Sequence, residues 1–217
     1  LLVRPVEKLL LVLLTADRGL CGGFNTNLIR ATQDYLVEHH DQQVSLITVG
    51  RKGRDFFRKH AVSILAEHVN LFGRLEFSHA QEIAGQIIDL YTQQAVDAVD
   101  FIYHESKTVL VQRLTVERYL PIKPMKLPEG GALIDYLYEQ PAAEIFDRLL
   151  PRYVEIEVYR ALLESQAAEF AARMTAMDAA TNNAAEMIDS LTLYMNRVRQ
   201  AAITKEIIEI VSGAAAQ

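Results

Sequence analysis

Few residues in this sequence are spaced for chemistry. The most suggestive group is Gly19-Leu20-Cys21-Gly22-Gly23, which follows the apolar run Leu9–Leu14. A glycine-rich turn after a strand lets backbone amides close around a phosphate. The group matches neither Gly-x-Gly-x-x-Gly nor the P-loop pattern, which needs a Lys before Ser or Thr. No acidic residue follows the second strand-like run to hold a ribose; that place is taken by Gly50-Arg51-Lys52. A tight structural turn is the favoured reading, and nucleotide binding the lesser one.

The other reactive types are dispersed. The 6 histidines have no partners at metal-ligand spacing, and His39 and His40, being adjacent, point to different helix faces. Cys21 has no nearby His or Asp and reads as a small buried apolar residue. Arg51, Lys52, Arg54, Arg58 and Lys59 form a basic cluster, most simply a solvated face, with an acidic partner as the alternative. No Ser/His/Asp set or carboxylate pair emerges. No catalytic residue, metal ligand or cofactor site is therefore assigned.

Composition points the same way. The net charge of −6 is spread evenly along the chain, with no basic face or tail to suit nucleic acid. A single cysteine leaves no internal disulfide framework and fits a reducing compartment. No run reaches the ~18 apolar residues of a membrane span. The sequence opens Leu1-Leu2-Val3-Arg4 without Met, so natural N-terminal residues are expected to be missing.

The elements that hold these residues alternate in type. Leu9–Leu14 reads as a strand covered on both faces, and Val44–Val49 as a second. Val62–Val69 is a weaker third, and Val99–Tyr103 and Thr108–Leu120 complete the set. Between them lie helical stretches at Thr26–His39, Lys52–His60 and from Ser78 onward. The alternation predicts a Rossmann-like α/β domain over 1–140. A link bearing Pro121, Pro124 and Pro128 with Gly130-Gly131 closes it.

Residues 141–217 read differently. Pro141 is placed to open a helix, and Pro151 to kink or restart it. From Arg152 to Ser212 there is no Gly or Pro, so one helix there would be roughly 90 Å long, too long for a small domain to bury. Met174, Met177, Thr181, Ala184, Ile188, Leu191, Met195, Val198 and Ala202 repeat in strict 3-4 alternation, the signature of a left-handed coiled coil. After Ala202 the register fails. Lys205 and Glu209 take the next seam positions, and the apolar stripe moves to Ile203, Ile207, Ile210 and Ala214. Arg199 and Gln200 sit at that break; on periodicity alone they are ordinary exposed helix residues. No second helix of this length exists in the sequence to serve as a partner.

The run Ile203-Thr204-x-Glu206-x-x-Glu209-x-x-x-Gly213-Ala214 resembles the signature of the gamma subunit of F-type ATP synthases. Met174-Thr175-Ala176-Met177, Ala180-Thr181, Asn183-Ala184 and Asn196-Arg197-x-Arg199-Gln200-Ala201 extend the resemblance. So do Asp17-Arg18-Gly19-Leu20-Cys21-Gly22-Gly23 with Asn25 and Asn27, and Asp135-Tyr136-Leu137-Tyr138-Glu139-x-Pro141. It covers essentially the whole chain.

The resemblance implies a rotor whose Rossmann-like domain binds no nucleotide. Its long C-terminal helix would be half of an antiparallel coiled coil, completed by an N-terminal helix that this chain lacks. The partners implied are the alpha and beta subunits of the catalytic hexamer, the epsilon subunit and the membrane ring of c subunits. The implied location is a peripheral complex on the cytoplasmic face of a bacterial inner membrane. Arg199, Gln200, Thr204 and Glu206 fall where the family's rotor meets a catalytic subunit. Ile207, Ile210, Val211 and Ala214 to Ala216 fall in the apolar bearing, and Tyr136 and Glu139 near the ring and epsilon. Lys205, where Gln is usual, adds charge beside the catalytic-subunit contact. The dithiol insertion of chloroplast members is absent from the link. A coiled-coil adaptor and a nucleotide-binding α/β enzyme stand as alternatives.

Overall fold

The computed structural model describes residues 5–108, 111–122 and 141–215. Its centre is β1 (Lys8–Leu14), which pairs in parallel with β2 (Gln43–Val49) on one side and β4 (Ala98–Ser106) on the other. With strands on both edges and helices packed on both faces, Leu9 to Leu14 of β1 are fully buried. An unbroken apolar run suits that position and no other. Beyond β2 lies β3 (Ser63–His68), also parallel; beyond β4 lies β5 (Gln112–Leu120), antiparallel. The sheet order is β3-β2-β1-β4-β5.

Side-chain alternation along β1 divides the core in two. Leu9, Leu11 and Leu13 pack with Phe24, Leu28 and Tyr35 of α1 (Phe24–Glu38) and Phe57 of α2 (Arg51–Phe57). Leu10, Val12 and Leu14 pack with Ile83 and Ile87 of α3 (Phe77–Thr92) and with Val154, Val158 and Leu162 of α4 (Ala142–Ala215). Helices thus cover both faces of a mixed sheet. At the α3 start, Glu76 and His79 form a reciprocal capping box, and the helix begins at Phe77, one residue before the Ser78 start expected from sequence.

Two expectations change. The strand expected over Thr108–Leu120 begins only at Gln112: β4 continues to Ser106, and β5 returns antiparallel to it. Pro151 does not restart the helix. α4 continues through it as 74 residues, with Pro151 inside. The sheet side of this stretch is anchored at Val154 and Val158, and such packing outweighs a lost backbone bond of ~3 kcal/mol. By compactness the chain divides into Leu1–Met174 and Thr175–Gln217.

Polar ties complete the first unit. Arg118 donates through Nε and Nη2 to the two oxygens of Asp100 at 2.7 and 2.9 Å, and the Tyr35 hydroxyl donates to the same carboxylate at 2.6 Å. Burial, then that bond to Asp100, pushes the Tyr35 phenol well up. This triad joins α1, β4 and β5. On the opposite face Tyr103 donates to Glu117 at 3.1 Å, and Arg160 of α4 reaches Glu117 at 3.4 Å. Burial, with the Glu117 charge, raises the Tyr103 pKa to about 12.

Candidate interaction surfaces

The glycine-rich turn after β1 is closed on itself. Asn25 accepts from the Ala16 amide at 2.9 Å and donates to the Arg18 carbonyl at 3.3 Å and the Cys21 sulfur at 3.1 Å. Asp17 accepts from the amides of Arg51 and Asn70 at 3.1 and 2.8 Å. Gly50 allows that approach: it sits at φ 93°, and a Cβ there would lie 1.9 Å from the Thr15 carbonyl oxygen. Cys21 is buried, and burial, reinforced by the Glu169 charge, pushes its thiol pKa up, away from a reactive thiolate.

Open α/β sheets bind ligands outside the carboxyl ends of their strands. Here a crevice of ≈ 380 Å³ is lined by Asp17, Arg18, Asn70, Phe72, Glu169 and Arg173. Its two acidic and two basic side chains balance, which gives no attraction for a polyphosphate. No group of three or more His, Cys, Asp or Glu positioned for a metal occurs among the described residues. The histidines pack or cap: His39 stacks on Tyr35, His60 on Phe56, and His68 meets Gln86 at 3.0 Å. His104 is buried against Phe24, and burial lowers its pKa. The basic cluster is partly neutralised in place, as Arg54 pairs with Asp55 and Arg58 with Glu67.

The unusual surface is on α4. Within the first unit, Val154, Val158, Ala161, Leu162 and Ala168 are buried. The opposite side carries Phe146, Leu149, Tyr153, Ile156, Leu163 and Phe170, each 42–55% exposed. These large apolar residues fall on the same 3-4 spacing as the seam read from Met174 onward, with Arg160 and Ala167 in the two remaining places. The sequence reading missed this stretch because the sheet-facing stripe is interleaved with it. Extending the heptad count toward the N-terminus would have found it. Helices seldom leave such a row to water unless something covers it.

In the second unit every residue of the seam is exposed, with Met174 just before it and Ile188, Leu191, Met195 and Val198 at 49–63%. The change of register is borne by geometry. At 100° per residue, the stripe Ile203, Ile207, Ile210 and Ala214 lies about a third of a turn from the seam. Arg199 and Glu206, seven apart, share one face; Gln200 and Thr204, four apart, share another. All four are exposed, and the Thr204 hydroxyl donates to the Gln200 carbonyl at 2.8 Å. Lys205 and Glu209 form an exposed pair at 3.7 Å. Ile207, Ile210, Val211 and Ala214 are exposed together. Tyr136, Glu139 and Ala216 lie outside the described residues. No described helix is long and apolar enough to cross a membrane.

Comparisons with known proteins agree with this arrangement. A family model described as ATP synthase matches residues 1–217. The ATP synthase gamma chain of Solibacter usitatus is 54% identical over 206 residues, covering 95% of this chain and 71% of that one. That of Pelotomaculum thermopropionicum is 48% identical over 217 residues, covering 100% and 76%. Among solved structures, the central stalk/c-ring of Tetrahymena thermophila mitochondrial ATP synthase matches with a TM-score of 0.65 at 26% identity, over 82% of this chain and 78% of that one. A chain of the Euglena gracilis mitochondrial enzyme shares the fold, with a TM-score of 0.72 at 21% identity over 97% and 73%. A long helix with uncovered stripes, a sheet domain without a phosphate loop, and relatives this similar lead to one assignment: the chain belongs to the gamma-chain family of ATP synthases, the non-catalytic central-stalk rotor subunit.

Proposed function

We propose that this chain couples rotation of a c-subunit ring to conformational change in the catalytic subunits of a proton-translocating F-type ATP synthase. The reading is carried by one observation: an uncovered 3-4 apolar row along α4 that gives way, at Ala202, to a stripe on another face. The row suits a second long helix in an antiparallel, left-handed coiled coil, supplied by an N-terminal segment of the gamma chain. The Rossmann-like domain then forms the foot of the stalk, with 1–140 and 141–217 as foot and shaft.

Above the register break the helix no longer suits a helix pair, and its two polar faces meet the surrounding alpha and beta subunits. Arg199, Gln200, Thr204 and Glu206 make the contact with a catalytic subunit. Ile207, Ile210, Val211 and Ala214 turn in an apolar bearing. Tyr136 and Glu139 serve the epsilon subunit and the ring. The complex lies on the cytoplasmic face of a bacterial inner membrane, in keeping with the bacterial relatives. An asymmetric shaft presents different faces to three equivalent subunits. Each is biased only by the difference between its contacts in the alternative states.

The test is assembly. Coexpressed with alpha and beta subunits and an N-terminal helix, this chain should copurify in a complex that hydrolyses ATP and rotates. Failure to enter that complex, with the hexamer otherwise formed, contradicts the reading.

A further inference from the structure

The turn after β1 carries no phosphate pattern, yet it is held from three sides. Asp17 takes the Arg51 and Asn70 amides, and Asn25 takes the Ala16 amide and the Arg18 carbonyl. The third hold comes from α4. Arg173 Nη2 donates to the Gly19 carbonyl at 3.4 Å, across 154 residues of sequence, and the same guanidinium pairs with Glu169 one turn back. Glu169 is only 5% exposed, and Ala168 beside it is fully buried. Immediately after Arg173, at Met174, the first compact unit ends.

Apolar packing of Val158, Ala161 and Leu162 on the sheet is strong but non-directional. It resists separation better than a small rotation of the helix about its own axis. Directional bonds fix that angle. α4 has several, including Arg160 to Glu117 at 3.4 Å and Gln166 to the Phe72 carbonyl at 2.9 Å. Arg173 is the one nearest the end of the unit. An ion pair with one buried partner is weak evidence of stabilisation, since desolvation offsets its attraction, but it does fix one geometry. The planar guanidinium can hold Glu169 and Gly19 together; an ammonium on a flexible stem holds them less well.

We propose that Arg173, oriented by the buried Glu169, is the torsional anchor of the rotor helix, and that the glycine-rich turn is its socket. Gripping the Gly19 carbonyl sets the rotational angle of α4 on the sheet. Torque delivered to the α/β unit then turns the helix instead of slipping it. Arg173 is a positioning residue in this account, which rests on the rotor reading above.

The experiment uses the complete complex in sealed vesicles. It compares uncoupled ATP hydrolysis with ATP-driven proton uptake in wild type, Arg173→Lys and the double variant Glu169→Gln/Arg173→Ala. The double variant avoids leaving a buried carboxylate without its partner. Hydrolysis without load should stay within about two-fold of wild type, while uptake in the double variant falls about five-fold and Arg173→Lys lies between. An unchanged ratio of uptake to hydrolysis in the intact variant complex would overturn the proposal. So would a parallel loss of both with loss of the complex, which marks a residue that only holds the fold. A wild-type complex that hydrolyses but does not pump would instead defeat the rotor reading itself.

Discussion

Two stretches of the same helix live in different solvents. Below Met174, α4 lays Val154, Val158, Ala161 and Leu162 against the sheet and keeps a second apolar row in water. Beyond it, Thr175 to Ala214 is exposed almost throughout. In the first region polar groups are spent internally, as in the Asp100–Arg118–Tyr35 triad. In the second, hydroxyls return to their own helix, as Thr181 does to the Met177 carbonyl at 2.8 Å. A helix needs tertiary packing for most of its stability, and the described residues supply none to the distal part. The first region carries most of the buried core, and the second carries almost none.

The comparison breaks first if core substitutions are mild. Asp100→Ala leaves the Arg118 guanidinium and the Tyr35 hydroxyl facing a hole and should destabilise the α/β unit by about 3 kcal/mol. Urea unfolding followed by tyrosine fluorescence measures this; a change below about 1 kcal/mol would mean that the triad is not a structural tie.

A matched pair sharpens the contrast. Leu11→Ala removes a fully buried side chain and should cost about 3 kcal/mol in the isolated chain. Ile188→Ala removes an exposed one and should stay within about 0.5 kcal/mol there. Supplying a gamma-chain N-terminal helix should reverse the second result, with Ile188→Ala then weakening the pair. Equal effects with and without that helix would deny the seam a partner.

Protonation separates the regions more gently. His104 is buried, with its ring tilted against Phe24 at a centroid distance of 4.8 Å. Its folded pKa lies below the ordinary 6.5, so the unfolded chain binds the proton more readily. Stability from the neutral ring is therefore full above about 6.5 and falls as pH drops below it, by at most about 1.4 kcal/mol per unit. Unfolding of the α/β unit between pH 7 and 5 should show that slope, and His104→Leu should flatten it. The helicity of the second unit should not follow it.

How much of this was readable varies from residue to residue. β1 and β2 were legible because a strand covered on both faces must be apolar throughout. The antiparallel return of β5 was not, since no Asn-Gly or Pro-Gly turn signal stands between Ser106 and Gln112. Met174 to Ala202 was legible as a seam because one apolar stripe stands alone there. Phe146 to Phe170 was hidden, because a second buried stripe blurs the period. The Arg173–Gly19 contact joins residues too far apart for any local pattern to register.

The smallest effect tests the register break. Lys205→Gln removes an exposed pair with Glu209 and should change helix stability by only a few tenths of a kcal/mol, about 0.3, read by circular dichroism. A loss above about 1 kcal/mol would make that pair a structural element rather than a solvated one.

The central proposal is that the two helix faces at Arg199 and Gln200 transmit force without holding the fold. It is tested most directly by steady-state ATP hydrolysis and ATP-driven proton pumping in complexes carrying Arg199→Ala/Gln200→Ala. Each side chain lies exposed, so circular dichroism of the isolated variant should match wild type. Charge-assisted bonds to a catalytic subunit are worth about 1.5–3 kcal/mol each, and losing both should slow turnover by about a hundred-fold or more while the complex stays assembled. Wild-type turnover and pumping in an intact double-variant complex would contradict the account and leave these residues as a solvated face.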